Sequence, residues 1–360
     1  MLQSTIGNLK PKSIVGLSYL ILEWYDQHRR VMPWRSISGC NPDPYHIWLS
    51  EVMLQQTTVA TVVPYFQTFL KRWPTIHDLA AGSLDDVLHA WQGLGYYARA
   101  RNLHKCAILI CTLHAGRFPD TESELLKLPG IGKYTAAAIA AIAFERKATV
   151  VDGNVERVMA RLYAVKNPLP KARAKLRKLA ATHTPATRCG DYAQAIMDLG
   201  ATICSPSKPA CAVCPLAQAC LANQHGIAAD LPVKSLKPER SVRYGFAYWM
   251  VSSEGSVFLR RRPTSGLLGG MMEVPSTTWT SEPRTMRSAR KSAPLEAEWV
   301  PLSGVVHHRF SHFDLQLRIL IAEVAKEQTL DGVWCFPGSF GQLALPTVMK
   351  KVIRLVTSNN

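Results

Sequence analysis

Four of the nine cysteines fall within seventeen residues, which gives the sequence one dense group of metal-binding side chains. Cys204, Cys211, Cys214 and Cys220 have the spacing C-x6-C-x2-C-x5-C. Four thiols this close in a reducing compartment are typical of a metal site, and the prolines between them favour the loop that a tight ligand cage requires. One long spacing followed by a C-x2-C pair suits a cubane iron–sulfur cluster better than zinc, which stays open as the alternative.

Glu51 is a lone carboxylate on an apolar helix face. It lies at helical spacing from Ile47, Trp48 and Leu54. Burial without a cation disfavours the charged form, so we expect the pKa of this carboxyl to rise. A carboxyl that stays protonated near neutral pH is a general acid, as in glycoside cleavage. The alternative is a structural glutamate that bonds to the backbone.

A glycine-containing turn, Leu128-Pro129-Gly130-Ile131-Gly132-Lys133, lies between two predicted helices. Its glycines allow a positive φ and expose backbone N–H groups to a phosphate, although most such turns only connect helices. Asp152 follows twenty residues after Gly132. We expect it to cap the helix that begins near Val155, which does not exclude a second role.

The elements that position these residues are helices over the first two thirds of the chain. Apolar periodicity predicts them at 14–28, 45–73 with a break at Pro64, 84–91, 99–114, 122–127, 134–144, 155–165 and 172–181. Residues 229–240 are typical of a linker. Strands at 246–251 and 257–259 then flank a hairpin turn, alternation continues through 313–321, and a helix follows at 347–356, so the second part is α+β.

The chain is basic throughout. Its charge is 42 − 26 = +16, with an excess of positive charge both before and after His225. Such a charge fits nucleic acid and a plain solubility role about equally. The longest unbroken apolar run has nine residues, too few to span a membrane, and the N-terminal stretch has no cleavage site. We therefore expect a cytoplasmic protein.

Three further segments are more specific, namely WLSEVMLQQT at 48–57, GLGYYARARN at 93–102 and MDLGA at 197–201. With the glycine turn, Asp152 and the cysteine loop, they resemble the helix-hairpin-helix DNA glycosylases. Within these they resemble the MutY family of adenine DNA glycosylases, which remove adenine mispaired with 8-oxoguanine. The resemblance extends from about Trp24 to Cys220 and continues more weakly beyond.

The resemblance implies catalytic roles for three residues. Glu51 protonates the adenine and then helps to activate water, and Asp152 stabilises the oxocarbenium character left on the sugar. Tyr134 occupies the position at which related lyases carry a Schiff-base lysine, so strand cleavage is not expected. Its hydroxyl would orient Asp152, or its ring would only pack.

The resemblance also implies binding residues. The adenine pocket would contain Arg30, Trp34, Arg35 and Gln194. Contacts to DNA would come from Gln56, Thr57, Tyr96, Gly130, Gly132 and Lys133. A loop of the second domain, Phe310, Ser311 and His312, would read 8-oxoguanine. The four cysteines would hold one [4Fe-4S] cluster.

The implied fold is multidomain and mainly α, followed by an α+β MutT-like (Nudix-like) domain. We divide it into an N-terminal helix at 1–32, a six-helix domain at 33–148, a cluster domain at 149–225, a linker at 226–241 and a lesion-reading domain at 242–360. After Gly269-Gly270 only Glu273 is present, so the glutamate cluster that magnesium requires is missing and we exclude pyrophosphate hydrolysis.

The sequence therefore predicts a monofunctional adenine glycosylase that acts on duplex DNA with A:8-oxoguanine or A:G mispairs. We expect a monomer that associates with the nucleoid through DNA. Two alternatives stay open: an endonuclease III-like glycosylase/lyase for oxidised pyrimidines, and a lesion-binding protein without catalysis. Tyr134 and the second domain argue against the glycosylase/lyase, and the two carboxylates argue against a protein without catalysis.

Overall fold

The computed structural model describes residues 16–36, 42–235, 239–325 and 329–359. These residues form two compact units. The first contains the described residues up to 80 and from 105 to 235, and the second contains residues 81–104 and the described residues from 239 onward. The start of the first predicted helix, at residue 14, and residues 236–238 of the predicted linker lie outside the described part.

Helices make up most of the chain before residue 225. In chain order they are α1 (Leu17–His28), α2 (Pro44–Leu54), α3 (Val59–Arg72), α4 (Ile76–Ala81), α5 (Leu84–Ala90), α6 (Ala98–His114), α7 (Glu122–Leu125), α8 (Lys133–Phe144), α9 (Gly153–Leu162), α10 (Arg173–Ala181), α11 (Cys189–Thr202) and α12 (Leu221–Gln224). Helix α8 is apolar on all sides, and its residues Thr135 to Ala143 are all buried. It therefore forms the centre of the first unit, where it packs against α2 and α11.

The predicted break at Pro64 is wrong. Helix α3 continues through Pro64, and the interruption lies instead at residues 55–58, between α2 and α3. Pro64 is the sixth residue of α3, so the missing N–H removes a single intrahelical bond to the carbonyl of Ala60. Gln56 has a φ of 61°, which turns the chain out of α2 before α3 begins.

The second unit is built on a mixed β-sheet. Its strands are β1 (Ser241–Ser252), β2 (Val257–Arg261), β3 (Met272–Glu273), β4 (Val300–Pro301), β5 (Val306–Arg309), β6 (Phe313–Val324) and β7 (Val333–Cys335), with the sheet order β3-β2-β1-β6-β4. The predicted hairpin is confirmed, since β1 and β2 pair antiparallel with Val251 opposite Val257. Strands β1 and β6 run parallel from Ser241↔Phe313 to Ser252↔Val324.

Two helices cover this sheet. Helix α14 (Thr347–Thr357) packs Val348, Met349 and Val352 on one face, and α13 (Met286–Lys291) packs Ala289 on the other. The core of the second unit is therefore two apolar layers on either side of the strands.

The segment 81–104 packs within the second unit through polar side chains. His89 Nε2 lies 2.7 Å from the carbonyl oxygen of Gly341, and Arg101 Nη1 donates to the carbonyl of Gly269 at 2.7 Å. Arg261 binds both oxygens of Asp85, at 2.6 and 2.7 Å. This segment thus belongs structurally with residues that come much later in the chain.

In the part of the chain that the structure describes, no helix combines the length and the apolar character needed to cross a membrane.

Candidate active site

One pocket in the first unit, with a volume of about 600 Å³, brings together side chains from distant segments. Helix α2, the loops beside it, the N-terminal end of α8, the N-terminal end of α9 and one face of α11 form its walls. Nine of the residues singled out from the sequence line it: Arg30, Trp34, Arg35, Glu51, Gln56, Thr57, Tyr134, Asp152 and Gln194. The volume lies within the range of about 300–1,000 Å³ that is usual for ligand pockets.

Glu51 lies on the wall of this pocket and is only 5% exposed. Burial is the main reason that the pKa of Glu51 rises to about 7. The hydroxyl of Tyr134 and the positive charge of Arg35 lower this pKa, whereas the negative charge of Asp152 raises it further. Its second oxygen, Oε2, is buried and has no hydrogen-bond partner among the described residues. A carboxyl group in this state can keep a proton near neutral pH and is free to donate it.

Asp152 precedes the first residue of α9 and accepts hydrogen bonds on both side-chain oxygens. Its Oδ1 accepts the backbone N–H of Asn154 at 2.9 Å and of Val155 at 2.8 Å, which confirms the predicted helix cap. Its Oδ2 accepts the side-chain N–H of Asn154 at 2.7 Å. These donors and the positive end of the helix dipole stabilise negative charge on a side chain that faces the pocket.

A chain of hydrogen bonds connects the Asp152 region to the cysteine loop. Arg157 Nη2 donates to the side-chain oxygen of Asn154 at 2.8 Å and to the carbonyl of Gly200 at 2.6 Å, and its Nε donates to the carbonyl of Cys204 at 2.7 Å. Gly200 leaves no room for a side chain, since an added Cβ would lie 2.6 Å from the Cβ of Asn154. Neither Asn154 nor Arg157 was predicted from the sequence as a site residue.

Tyr134 and Lys133 point to different places at the start of α8. Tyr134 lines the pocket beside Glu51, and its hydroxyl donates to the sulfur of Met197 at 3.4 Å. No hydrogen bond joins it to Asp152 among the described residues, so its contacts differ from the orienting role that we expected. Lys133 is exposed and does not line the pocket.

The two pocket arginines bind a residue that sequence reasoning missed. Arg30 Nε donates to Asp198 Oδ1 at 2.6 Å, and Arg35 donates to Asp198 Oδ2 at 2.6 Å and Oδ1 at 2.9 Å. Asp198 is on α11 and is fully buried. A lone aspartate between Ile196, Leu199 and other apolar residues of α11 is the sequence signal that could have indicated this pair of salt bridges.

Two residues expected to enter the duplex have strained backbone conformations. Gln56 has a φ of 61° and Tyr96 a φ of 47°, and both are exposed. A positive φ is uncommon outside glycine and costs about 1–3 kcal/mol, so such residues cluster at functional sites. Thr57 lies beside Gln56 at the pocket edge.

The glycine turn connects α7 to α8. Gly130 has a φ of 77°, and Gly132 precedes the first residue of α8 with no atom within 4 Å of the place where a Cβ would lie. Lys133 is exposed next to it. The N-terminal end of α8 is thus open to an anion such as a phosphate group.

In the second unit, the loop 310–312 lies beside Tyr96. The hydroxyls of Tyr96 and Ser311 are 2.6 Å apart, and Ser311 and His312 are exposed. Phe310 stacks on Phe313 with 4.8 Å between ring centroids, and Phe313 packs in the core. Two segments that the sequence analysis treated separately therefore meet in one exposed group.

The four cysteines of the loop line one small cavity of about 30 Å³. Arg161 lines it too, is 1% exposed, and donates to Cys204 Sγ at 3.3 Å and to carbonyl oxygens of Ser205 and Pro206 at 2.7 and 2.8 Å. No ion pair joins Arg161 to a carboxylate among the described residues. A buried cation normally requires a nearby negative charge, so these residues fit a group that keeps the thiols as anions.

Residues 49–182 match the family described as HhH-GPD superfamily base excision DNA repair protein, and residues 247–355 match the family described as NUDIX domain. The chain is 35% identical to the adenine DNA glycosylase of Homo sapiens, over 93% of this chain and 73% of that protein. It is 31% identical to that of Buchnera aphidicola subsp. Acyrthosiphon pisum, over 95% of this chain and 98% of that one.

Among solved structures, the chain is similar to a thermostable thymine-DNA glycosylase, with 30% identity and a TM-score of 0.54 over 60% of this chain and 100% of that one. The helix-hairpin-helix region followed by a Nudix-like domain agrees with the fold class expected from the sequence. On the similarity along most of its length, the chain belongs to the family of adenine DNA glycosylases, which are DNA N-glycosylases.

Proposed function

We propose that this glycosylase excises adenine mispaired with 8-oxoguanine, or with guanine, from duplex DNA. The observation that supports the proposal best is the pair of carboxyl groups in the pocket of the first unit. Burial favours the protonated form of Glu51, while Asp152 accepts three hydrogen bonds that suit a carboxylate. Cleavage of an N-glycosidic bond needs both states, a proton donor for the leaving base and a negative charge for the sugar.

Glu51 acts first, as the general acid. The target adenine leaves the base stack and enters the pocket, because its glycosidic bond is inaccessible inside the duplex. The proton on the Glu51 carboxyl passes to adenine, which we expect at N7. The electron pair of the bond between C1′ and N9 then leaves with a neutral base rather than with an anion.

Asp152 acts as that bond breaks. Its carboxylate stabilises the positive charge that develops on the sugar. Glu51, now ionised, accepts a proton from the water that adds to C1′, which completes hydrolysis and restores the acid. When Glu51 ionises, the Tyr134 hydroxyl beside it can donate to the carboxylate instead of to Met197, which stabilises the ionised form of Glu51 between the two steps.

The same arrangement supports a monofunctional enzyme. A Schiff-base mechanism requires an amine at the sugar carbon. The position that faces the pocket is occupied by Tyr134, and the neighbouring amine of Lys133 is exposed outside it. Excision should therefore leave an abasic site in an intact strand.

We propose that DNA is held through backbone groups and inserted side chains. The open N-terminal end of α8, with Gly130, Gly132 and Lys133, suits a phosphate, and the strained residues Gln56 and Tyr96 are exposed where side chains can enter the duplex. Trp34 and Gln194, with the two arginines, would enclose the flipped adenine.

The loop 310–312 would read the opposite base. 8-Oxoguanine carries an N7–H where guanine has an acceptor, and a serine hydroxyl can accept from the former or donate to the latter. Ser311 already bonds one hydroxyl partner, Tyr96, in the free protein. Phe310 and His312 would lie on either side of the contact between Ser311 and the opposite base.

We propose a single [4Fe-4S] cluster on Cys204, Cys211, Cys214 and Cys220. The four cysteines line one cavity beside the buried Arg161, and these residues would hold the cluster. When bound, the cluster would supply a covalent link across the loop and a negative charge beside Arg161.

We further propose a cytoplasmic monomer bound to the nucleoid through DNA.

Duplex oligonucleotides with A opposite 8-oxoguanine test the reaction. We expect strand breaks only after hot alkali with the wild-type protein, loss of excision but retained binding with Glu51→Gln, and severe slowing with Asp152→Asn. Glu23→Gln, an exposed position on α1, is the matched control and should keep full activity. Breaks without alkali would instead support a lyase, and preferred cleavage of a T:G duplex would support a thymine glycosylase.

A second experiment tests lesion reading. Ser311→Ala combined with His312→Ala should reduce the preference for A:8-oxoguanine over A:G while excision from A:G changes little. The exposed Ser303→Ala is the control in the same unit. Full retention of the preference would exclude the loop 310–312 as the reader.

A further inference from the structure

Asp198 is the only acidic ion-pair partner of the two pocket arginines among the described residues. It also accepts the backbone N–H of Arg30 at 3.2 Å, and Arg35 in turn donates to the carbonyl oxygen of Arg30 at 3.0 Å. The segment after α1 is thereby bound to the middle of α11. A fully buried carboxylate that makes this many charge-assisted bonds fixes its partners more rigidly than surface ion pairs do.

Asp198 does not itself face the pocket. The face of α11 that lines it carries Gln194, Met197 and Ala201, whereas Arg30 and Arg35, which bond Asp198, do line the pocket. A substrate base would therefore meet the arginines and not Asp198. The role of Asp198 must be exercised through Arg30 and Arg35.

The charges of this group bear on Glu51. The groups that act on Glu51 are Tyr134 and Asp152, from the other walls, and Arg35. A guanidinium near a carboxyl favours loss of its proton, which would remove the acid that the reaction needs. Asp198 pairs with both arginines, so the three side chains carry a net charge of +1 instead of the +2 of the two arginines alone. The pull of Arg35 on the Glu51 proton is thereby reduced.

We propose that Asp198 is a positioning residue for catalysis: it orients Arg30 and Arg35 toward the flipped adenine and offsets part of their positive charge, so that Glu51 keeps its proton. The inference rests on the proposed role of Glu51 as the acid. Burial alone would raise the pKa of Asp198, but the bonds from Arg35 and Arg30 outweigh it and lower that pKa, so Asp198 stays ionised while Glu51 does not.

The test is the pH profile of single-turnover adenine excision by the full chain, on duplex DNA with A opposite 8-oxoguanine. Wild-type activity should fall above about pH 7 as Glu51 ionises. Asp198→Asn should move this alkaline limb to lower pH by about one unit, because Arg35 is left without its counter-charge. The double variant Asp198→Asn/Arg35→Gln should return the limb toward the wild-type position, which a purely structural role would not do.

Two further variants keep the test decisive if Asp198→Asn folds poorly. Arg35→Gln alone should move the limb to higher pH, and Asp198→Glu should retain the wild-type limb with a weaker affinity for the substrate. Asp191→Asn is the matched control, since Asp191 is on the same helix but does not line the pocket. It forms an ion pair with Arg188, with 2.8 Å between the charged atoms. Its profile should equal that of the wild type.

Unchanged limbs in both Asp198→Asn and Arg35→Gln would overturn the inference. If Glu51→Gln were also inactive in the same assay, the proposed reaction would still hold and only the role of Asp198 would be lost. An active Glu51→Gln variant would instead overturn the proposed acid itself. A shift with Asp198→Asn that the double variant does not reverse would show that Asp198 acts without Arg35, which also contradicts the proposal.

Discussion

Replacing Glu51 by glutamine should stabilise the protein, and the gain should grow with pH. The pKa of Glu51 is raised to about 7 from 4.5, mainly because burial opposes ionisation. Since the folded state holds the proton more tightly than the unfolded chain, the stability linked to Glu51 is complete below 4.5 and is lost as the pH rises through 7. Glutamine resembles the protonated carboxyl in shape and does not ionise.

The size of the effect follows from the two pKa values. The linkage relation gives a loss of roughly 1 kcal/mol at about pH 5.5 and roughly 3 kcal/mol at about pH 8.5. The advantage of Glu51→Gln over the wild type should therefore grow by about 2 kcal/mol across this interval. For a folding unit of roughly 200 residues, this widens the difference in Tm by about 4–8 °C.

Differential scanning calorimetry at one scan rate measures this difference, with both proteins in the same buffers from about pH 5.5 to about pH 8.5. Glu23→Gln changes an exposed glutamate to the same amide and should show no such trend. A difference in Tm between Glu51→Gln and wild type that stays constant with pH would refute the reasoning. Glu51 would then titrate alike in the folded and unfolded states and could not be the protonated acid.

Three further perturbations probe the neighbours of this carboxyl. Tyr134→Lys should place a desolvated amine in the pocket and yield borohydride-trappable complexes with abasic DNA. If no complex is trapped, Tyr134 is not the reason that the enzyme lacks lyase activity. Arg157→Gln should slow excision by about tenfold, or about 1.4 kcal/mol in barrier, with little change in DNA binding, because Asn154 loses its hydrogen bond from Arg157 beside Asp152. Equal losses of excision rate and of DNA affinity would contradict this prediction. Cys211→Ser should lower soluble yield and iron content, and stoichiometric zinc in wild-type protein made with ample iron would contradict the cluster.

Residue type and local spacing were enough to predict the parts of the site that depend on one element at a time. Asp152 caps α9 because a carboxylate before an apolar helix has few other places to act. Glu51 is buried because the rest of its helix face is apolar. The helices predicted at 84–91 and 99–114 agree with α5 and α6 within one residue at each end, since their periodicity is local.

Features that depend on distant partners could not be predicted in this way. Helix α11 was missed because glycines and Asp191 obscure its apolar pattern, and with it the ion pairs of Asp198, whose partners are more than 160 positions earlier. The helix break was predicted at Pro64, but the chain turns out of α2 at Gln56, which has a positive φ. No local signal indicated that residues 81–104 pack with the second unit, because their partners are distant in sequence and several are backbone carbonyls, which carry no sequence pattern.

The packing of residues 81–104 has a consequence for biosynthesis. His89 and Gln92 bond to the carbonyls of Gly341 and Leu343, which are 252 and 251 positions further along the chain. At about 5–20 residues per second, the ribosome needs roughly 12–50 s to make that interval. Helices on either side of the segment can assemble meanwhile, whereas the segment, which contains α5 and the start of α6, forms its bonds to the second unit only later. We therefore expect the polar contacts of residues 81–104 to be among the last to form during synthesis.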